Sequence, residues 1–269
     1  MSFHIEIVNM GIYLIVLALL CEYIDSALGG GYGTILVPVL LILGFENEAI
    51  IPVILFTEIW SGFFSAFLHH FVGNVNFVAK ISKRNGSNTL NLSSDFKISL
   101  ILAGCGVIGG STAAIVALNI SPIIIKTYIG ILVTIIGILV VIKFRWKFSW
   151  NRIFGIGILA AFNKGLSGGG YGPLVSSGQI IVNRNPKEAV ASTSFSEAIV
   201  CVSALTIYIL AGGTFINVSL MLYLLIGAIA SVPVAVLTVK YLPIEKLSYF
   251  VGFTTIILGT IILIKTWFL

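Results

Sequence analysis

Charge is scarce in this chain. Only 9% of its 269 residues are Asp, Glu, Lys or Arg, against roughly a quarter in soluble domains. No polar stretch is long enough to hold a soluble domain. The formal net charge is +5, but the basic residues flank apolar runs instead of forming a patch, which argues against a nucleic-acid surface. Cysteine is also rare: Cys21, Cys105 and Cys201 lie inside apolar runs without C-x-x-C spacing. They are expected as small core residues, not as a disulfide or metal site. A Walker-type nucleotide loop is missing, so ATP is not expected as the direct energy source. Residues 1–9 carry no Lys or Arg, and no cleaved signal peptide is expected. The expectation is a non-enzyme without cofactor or metal.

What the chain does have is hydrocarbon. Hydrophobic residues make up 58%, and apolar runs recur from residue 10 to the end, several of them of membrane-spanning length. The pattern predicts an all-α integral membrane protein; a porin-type barrel would show short alternating strands. The membrane lipid is then a partner of the whole surface.

Two stretches interrupt the hydrocarbon in the same way, "DSALGGGYGTILV" from Asp25 and "NKGLSGGGYGPLV" from Asn163. Each GGGYG lies between short apolar runs, 10–21 and 34–45 in the first case, 153–162 and 173–183 in the second. The first pair would make helices of about 18 Å each, short of a ~30 Å hydrocarbon core. Re-entrant hairpins with tips near mid-membrane are expected. Full-length helices follow each hairpin, at 49–72, 98–118 and 123–143, then at 189–212, 218–240 and 244–266. Sequence echoes join the halves: "NEAI" at 47–50 with "KEAV" at 187–190, "TE" at 57–58 with "SE" at 196–197, and Gly130/Gly137 with Gly252/Gly259. Two copies of one unit, 1–145 and 146–269, are expected.

Three full spans and a returning hairpin make an odd count of crossings, so the second copy should run inverted. Charge agrees. With 73–97, 143–152, the exit at 184–187 and the turn at 240–246 on one side, every basic residue except Lys126, Lys164 and Lys265 lies there. The positive-inside rule makes that side the cytoplasm. Both termini come out external, on a prokaryotic plasma membrane. His69 and His70 fall at the cytoplasmic end of their helix and are read as interfacial.

Broken helices in inverted repeats are a plan of secondary transporters, whose substrate sites lie between the repeats. Glycines allow positive φ and expose N–H groups beside a helix N-terminus, which together favour an anion. Candidate binding residues are Ser26, Gly29, Gly30, Gly31, Tyr32, Gly33 and Thr34 in the first motif. In the second they are Asn163, Lys164, Ser167, Gly168, Gly169, Gly170, Tyr171 and Gly172. "CGVIGG" at 105–110 reads as close helix packing instead. Lys164 has two readings: an ion pair with Asp25 or Glu22 that joins the hairpins, or a cation that draws the substrate anion. Glu58 and Glu197, deep in matching helices, either carry a coupling proton or donate a structural hydrogen bond as neutral acids. Ser194, within "STSFSEA", either lines a cavity or bonds back to a carbonyl.

"SALGGGYGTILVPVLLILGFENEAIIP", "FVGNVNF", "NKGLSGGGYGPLV" and "NPKEAVASTSFSE" together resemble the sulfite exporter TauE/SafE family. The resemblance covers both halves. It implies an integral membrane transporter of small sulfur-containing anions such as sulfite, sulfonates or thiosulfate, usually an exporter. The segment 80–97 is longer and more polar than the family pattern. Alternatives are a sodium-coupled uptake carrier for an organic acid or amino acid, and a passive anion channel. A homodimer is left open.

Overall fold

The computed structural model describes the backbone of residues 2–84, 87–117, 121–167, 170–210 and 217–268. Ten α-helices are found among them, five in each half of the chain. The first half holds α1 (Ser2–Leu28), α2 (Tyr32–Ile42), α3 (Asn47–Phe71), α4 (Ser94–Ala117) and α5 (Pro122–Val141). The second holds α6 (Trp150–Ser167), α7 (Tyr171–Ile181), α8 (Pro186–Leu210), α9 (Val218–Tyr241) and α10 (Ile244–Phe268). By length and composition, five of the described helices can cross a membrane: α1, α3, α8, α9 and α10. Outward-facing Trp60, Phe67, Phe71, Ile108, Ile124 and Phe253 are exposed, a surface suited to lipid and costly in water.

Two expectations need correction. The first arm of each hairpin is not half-length: α1 runs for 27 residues and α6 for 18, while α2 and α7 have 11 each. The helix does not stop at Glu22 or Asp25, where the hydrophobic pattern does. In an apolar surrounding the backbone keeps its own hydrogen bonds, so polar side chains are carried on the helix instead of ending it. The break comes only at the glycines, with φ of 80°, 145° and 138° at Gly29, Gly30 and Gly31 and 76° at Gly170. The second correction is in the polar segment 80–97, read as a loop. It forms an antiparallel β-hairpin, β1 (Ala79–Arg84) with β2 (Ser87–Leu92), in register from Ala79↔Leu92 to Arg84↔Ser87.

The packing has a simple regularity. The helices α1 and α9 pack together, as do α6 and α4; α3 contacts α9 and α8 contacts α4; α3 packs on α8 and α5 on α10. Exchanging the first five helices for the last five leaves this pattern unchanged. The two self-paired contacts are both antiparallel. Between α5 and α10, Gly130 lies against Gly259 and Leu263, and Gly137 against Gly252 and Ile256. A Cβ at Gly137 would sit 2.7 Å from the Ile256 nitrogen, and one at Gly259 2.4 Å from Thr134 Oγ1. Lipid supplies no hydrophobic drive between helices, so close dispersion contact across small residues holds them. Between α3 and α8, Gly62 faces Ser194 and Ala198, and Ser65 Oγ lies 3.4 Å from Ser194 Oγ.

Each hairpin is clasped by its own core. Leu14, Leu36, Ile50 and Leu224 bury α2 among α1, α3 and α9. Ile98, Ile153, Leu174 and Val200 do the same for α7 among α4, α6 and α8. Gly106 and Gly109 of "CGVIGG" face Val200 and Ala161 at closer than normal Cβ distance, the close packing expected of them.

Candidate functional site

The two hairpin tips touch. A Cβ at Gly30 would lie 2.3 Å from Pro173 Cδ, and one at Gly172 would lie 2.7 Å from the Gly30 Cα. Only glycine on both sides lets the two backbones meet. Gly29 faces Ser176 in the same contact. The tips lie level with Glu58 and Glu197, about halfway along α3 and α8.

A small cavity of about 10 Å³ remains between the tips, on the order of one water molecule. Gly31, Tyr32, Gly33 and Thr34 line it from the first motif, and Gly170, Gly172 and Pro173 from the second. Four ionisable side chains complete the lining: Asp25, Glu58, Lys164 and Glu197. The expected coupling residues and both glycine motifs thus share one enclosure.

Lys164 is 9% exposed, and its partners differ from those expected. Its Nζ lies 3.1 Å from Glu197 Oε1 and 3.9 Å from Glu58 Oε2. It does not pair with Asp25 or Glu22. Asp25 Oδ1 instead accepts the Tyr32 N–H at 3.0 Å, capping the start of α2. Glu22 accepts hydroxyl bonds from Ser26 at 2.6 Å and Ser61 at 3.0 Å. The crossing of α3 and α8 brings both glutamates to the lysine, whereas Asp25 is held by its own hairpin. Lys164 also stands over the Tyr171 ring at 5.7 Å, and the Tyr171 hydroxyl donates to the Leu102 carbonyl at 3.0 Å.

The glutamates occupy equivalent positions over the first turns of the two short helices. Glu58 Oε1 lies 3.3 Å from where a Cβ of Gly33 would be, and Glu197 Oε2 lies 2.8 Å from that of Gly172. Cys201 is a further member that hydropathy did not single out. Its thiol donates to Glu58 Oε2 at 3.1 Å and lies 3.5 Å from Lys164 Nζ. Its position one helical turn after Glu197 is the signal that could have found it.

Other expected residues lie elsewhere. Ser26 turns its hydroxyl to Glu22. Ser194 bonds back to the Val190 carbonyl at 3.3 Å. Asn163 is buried. Ser167 ends α6, and Gly168 and Gly169 lie outside the described residues. His69 is not interfacial: it is fully buried, with Nε2 3.2 Å from the Ser26 carbonyl and Nδ1 2.9 Å from Asn74 Nδ2. Asn74 of "FVGNVNF" also donates to the Val236 carbonyl of α9 at 3.1 Å. The loop after α3 therefore folds back and draws His69 inward.

Residues 85–262 match the family model described as Sulfite exporter TauE/SafE. The chain is also similar to the probable membrane transporter protein YtnM of Bacillus subtilis (strain 168), 23% identical over 266 residues, which covers 93% of this chain and 82% of that protein. Long apolar helices around a buried ion cluster, and a family match over most of the chain, converge on one assignment: this multi-pass membrane protein belongs to the sulfite exporter TauE/SafE family of transporters.

Proposed function

We propose that the protein is a secondary transporter that exports a small sulfur-containing anion, such as sulfite or a sulfonate, across the prokaryotic plasma membrane in exchange with or together with protons. The observation that carries this reading is the meeting of two helix N-termini and one buried ammonium in a single small cavity midway along α3 and α8. N-terminal dipole ends and a lysine favour an anion, and carboxyls beside them can exchange protons. The antiparallel runs of α5 with α10 and α3 with α8 support two inverted repeats. In that topology both termini are external, and the basic segments between α3 and α4, between α5 and α6, and following α7 and α9 are cytoplasmic.

A cavity of about 10 Å³ is far smaller than any sulfonate. Binding then requires the hairpins to move, which favours a carrier over a passive channel. The test is flux in proteoliposomes loaded with sulfite or methanesulfonate. Saturable counterflow is expected, and Lys164→Ala should abolish it. Flux that rises linearly with concentration and shows no counterflow would replace the carrier with a channel. Flux of carboxylates that needs sodium, without flux of sulfur anions, would replace it with the sodium-coupled carrier.

A further inference from the structure

The cavity already contains a carboxyl group placed where a bound anion would sit, and it belongs to the protein. One oxygen of Glu197 is 3.1 Å from the Lys164 ammonium, and the other lies over the first turn of α7 at Gly172. These are the two features, a cation and a helix N-terminus, that would hold a substrate oxyanion. We infer that Glu197 is a tethered competitor of the transported anion: its carboxylate occupies the substrate's place beside Lys164 and yields it on taking up a proton, so that each anion binds together with one proton. This rests on the anion-transport reading above.

Asymmetry between the motifs selects this position. At the start of α2 the Tyr32 N–H is bonded to Asp25, a fixed carboxylate within the same hairpin. Lys164 stands at the equivalent place in the second motif, and its strongest partner, Glu197, comes from a different helix. Glu58 is farther from the lysine at 3.9 Å and also accepts from Cys201. The α7 side is therefore the one whose anion can be exchanged.

Electrostatics links the exchange to a proton. Lys164 from α6 is the ammonium in the enclosure, facing Glu197 from α8, Glu58 from α3, and Asp25 from α1, with Glu22 of α1 behind them. Further titratable groups nearby are the hydroxyls of Tyr32 on α2 and Tyr171 on α7, and the thiols of Cys201 on α8, Cys105 on α4 and Cys21 on α1. A monoanion entering while Glu197 stays ionised would add a negative charge to a space already rich in carboxylates. If the displaced carboxylate takes a proton from the aqueous side, one negative and one positive charge enter together. The net charge of the site is then unchanged: the Lys164–Glu197 pair breaks, and a Lys164–sulfonate pair forms.

The experiment is titration calorimetry on the purified full chain in detergent, with methanesulfonate, a monoanion throughout the neutral range, in buffers of differing ionisation enthalpy. The wild type should take up one proton per anion, and its affinity should rise about tenfold for each unit of pH lowered. Glu197→Gln should bind more tightly at neutral pH with a flat profile, while Glu245→Gln, an exposed carboxyl outside the cavity, keeps the slope. A wild type that binds without proton uptake overturns the exchange and leaves the anion reading standing. A folded Glu197→Gln that loses binding or keeps the slope overturns it as well. Should that variant not fold, the wild-type proton count decides alone. If neither wild type nor variant binds methanesulfonate or sulfite at any pH, the sulfur-anion reading itself falls.

Discussion

Gly172 carries three contacts at once: the Gly30 Cα, a Glu197 oxygen and the Gly29 carbonyl all lie within 3.0 Å of where a Cβ would stand. Two of these neighbours are backbone and cannot turn aside. Gly172→Ala should therefore destabilise the protein by about 1–3 kcal/mol, as overpacking does, and separate the hairpin tips. Gly104 in α4 is the control, because a Cβ there meets nothing within 4 Å. Gly104→Ala should be neutral or stabilise by up to about 1 kcal/mol through helix propensity. Thermal unfolding in detergent separates the two; equal effects would mean that the tips are not in contact. At this scale, Lys164, Glu58 and Glu197 were legible as rare charges in hydrocarbon. Their mutual pairing was not, because it is set by how α3 and α8 cross.

Between elements, the exit of the second hairpin is fastened by Arg184. This side chain is 4% exposed and pairs with Asp95 of α4 and with Glu188 of α8, the latter at 3.0 Å. It also donates to Gln179 of α7 at 2.7 Å. Three helices and the loop ahead of α4, through the Asn76 N–H on Asp95, thus converge on one guanidinium. Arg184→Ala should cost about 3–5 kcal/mol by leaving buried partners unpaired, and Arg184→Lys should not restore it, lacking the planar fork. Glu188→Ala should cost under about 1 kcal/mol, since the Glu188 side chain is 35% exposed. A double-mutant cycle of Arg184 with Asp95, followed by unfolding, measures the coupling; additive effects would show no shared bond. The β-hairpin at this end had its own signal, Asn-Gly at 85–86 between the strands, which a search for membrane spans passes over.

For the whole molecule, the proposed inverted arrangement predicts which surfaces face the cytoplasm. A cysteine introduced at Asn217 should react with an impermeant thiol reagent added to intact cells, and one at Asn151 should not. The native cysteines are all buried, so they can remain, and Cys201 should remain because it touches the central cluster. Labelling of position 151 from outside would break the inverted topology, because the segment joining the two halves must then be external.

Composition and run length were enough to specify the helices α3 to α5 and α8 to α10, because in lipid an apolar run of sufficient length has helix as its one self-satisfied form; of these, α3, α8, α9 and α10 are long and apolar enough to cross a membrane. The glycine motifs marked both breaks for the same local reason, since positive φ needs no distant partner. Three things depended on the tertiary structure. The extent of α1 did, because helix persists past Glu22 and Asp25 once other helices cover them. The burial of His69 did, because Asn74 and Val236 hold the loop against it. The partner of Lys164 did, because residues 33 and 106 positions away reach it only when α3 and α8 pack antiparallel. Charges buried in a helix bundle take the nearest available counter-charge, and nearness here is a property of helix crossing that no local pattern contains.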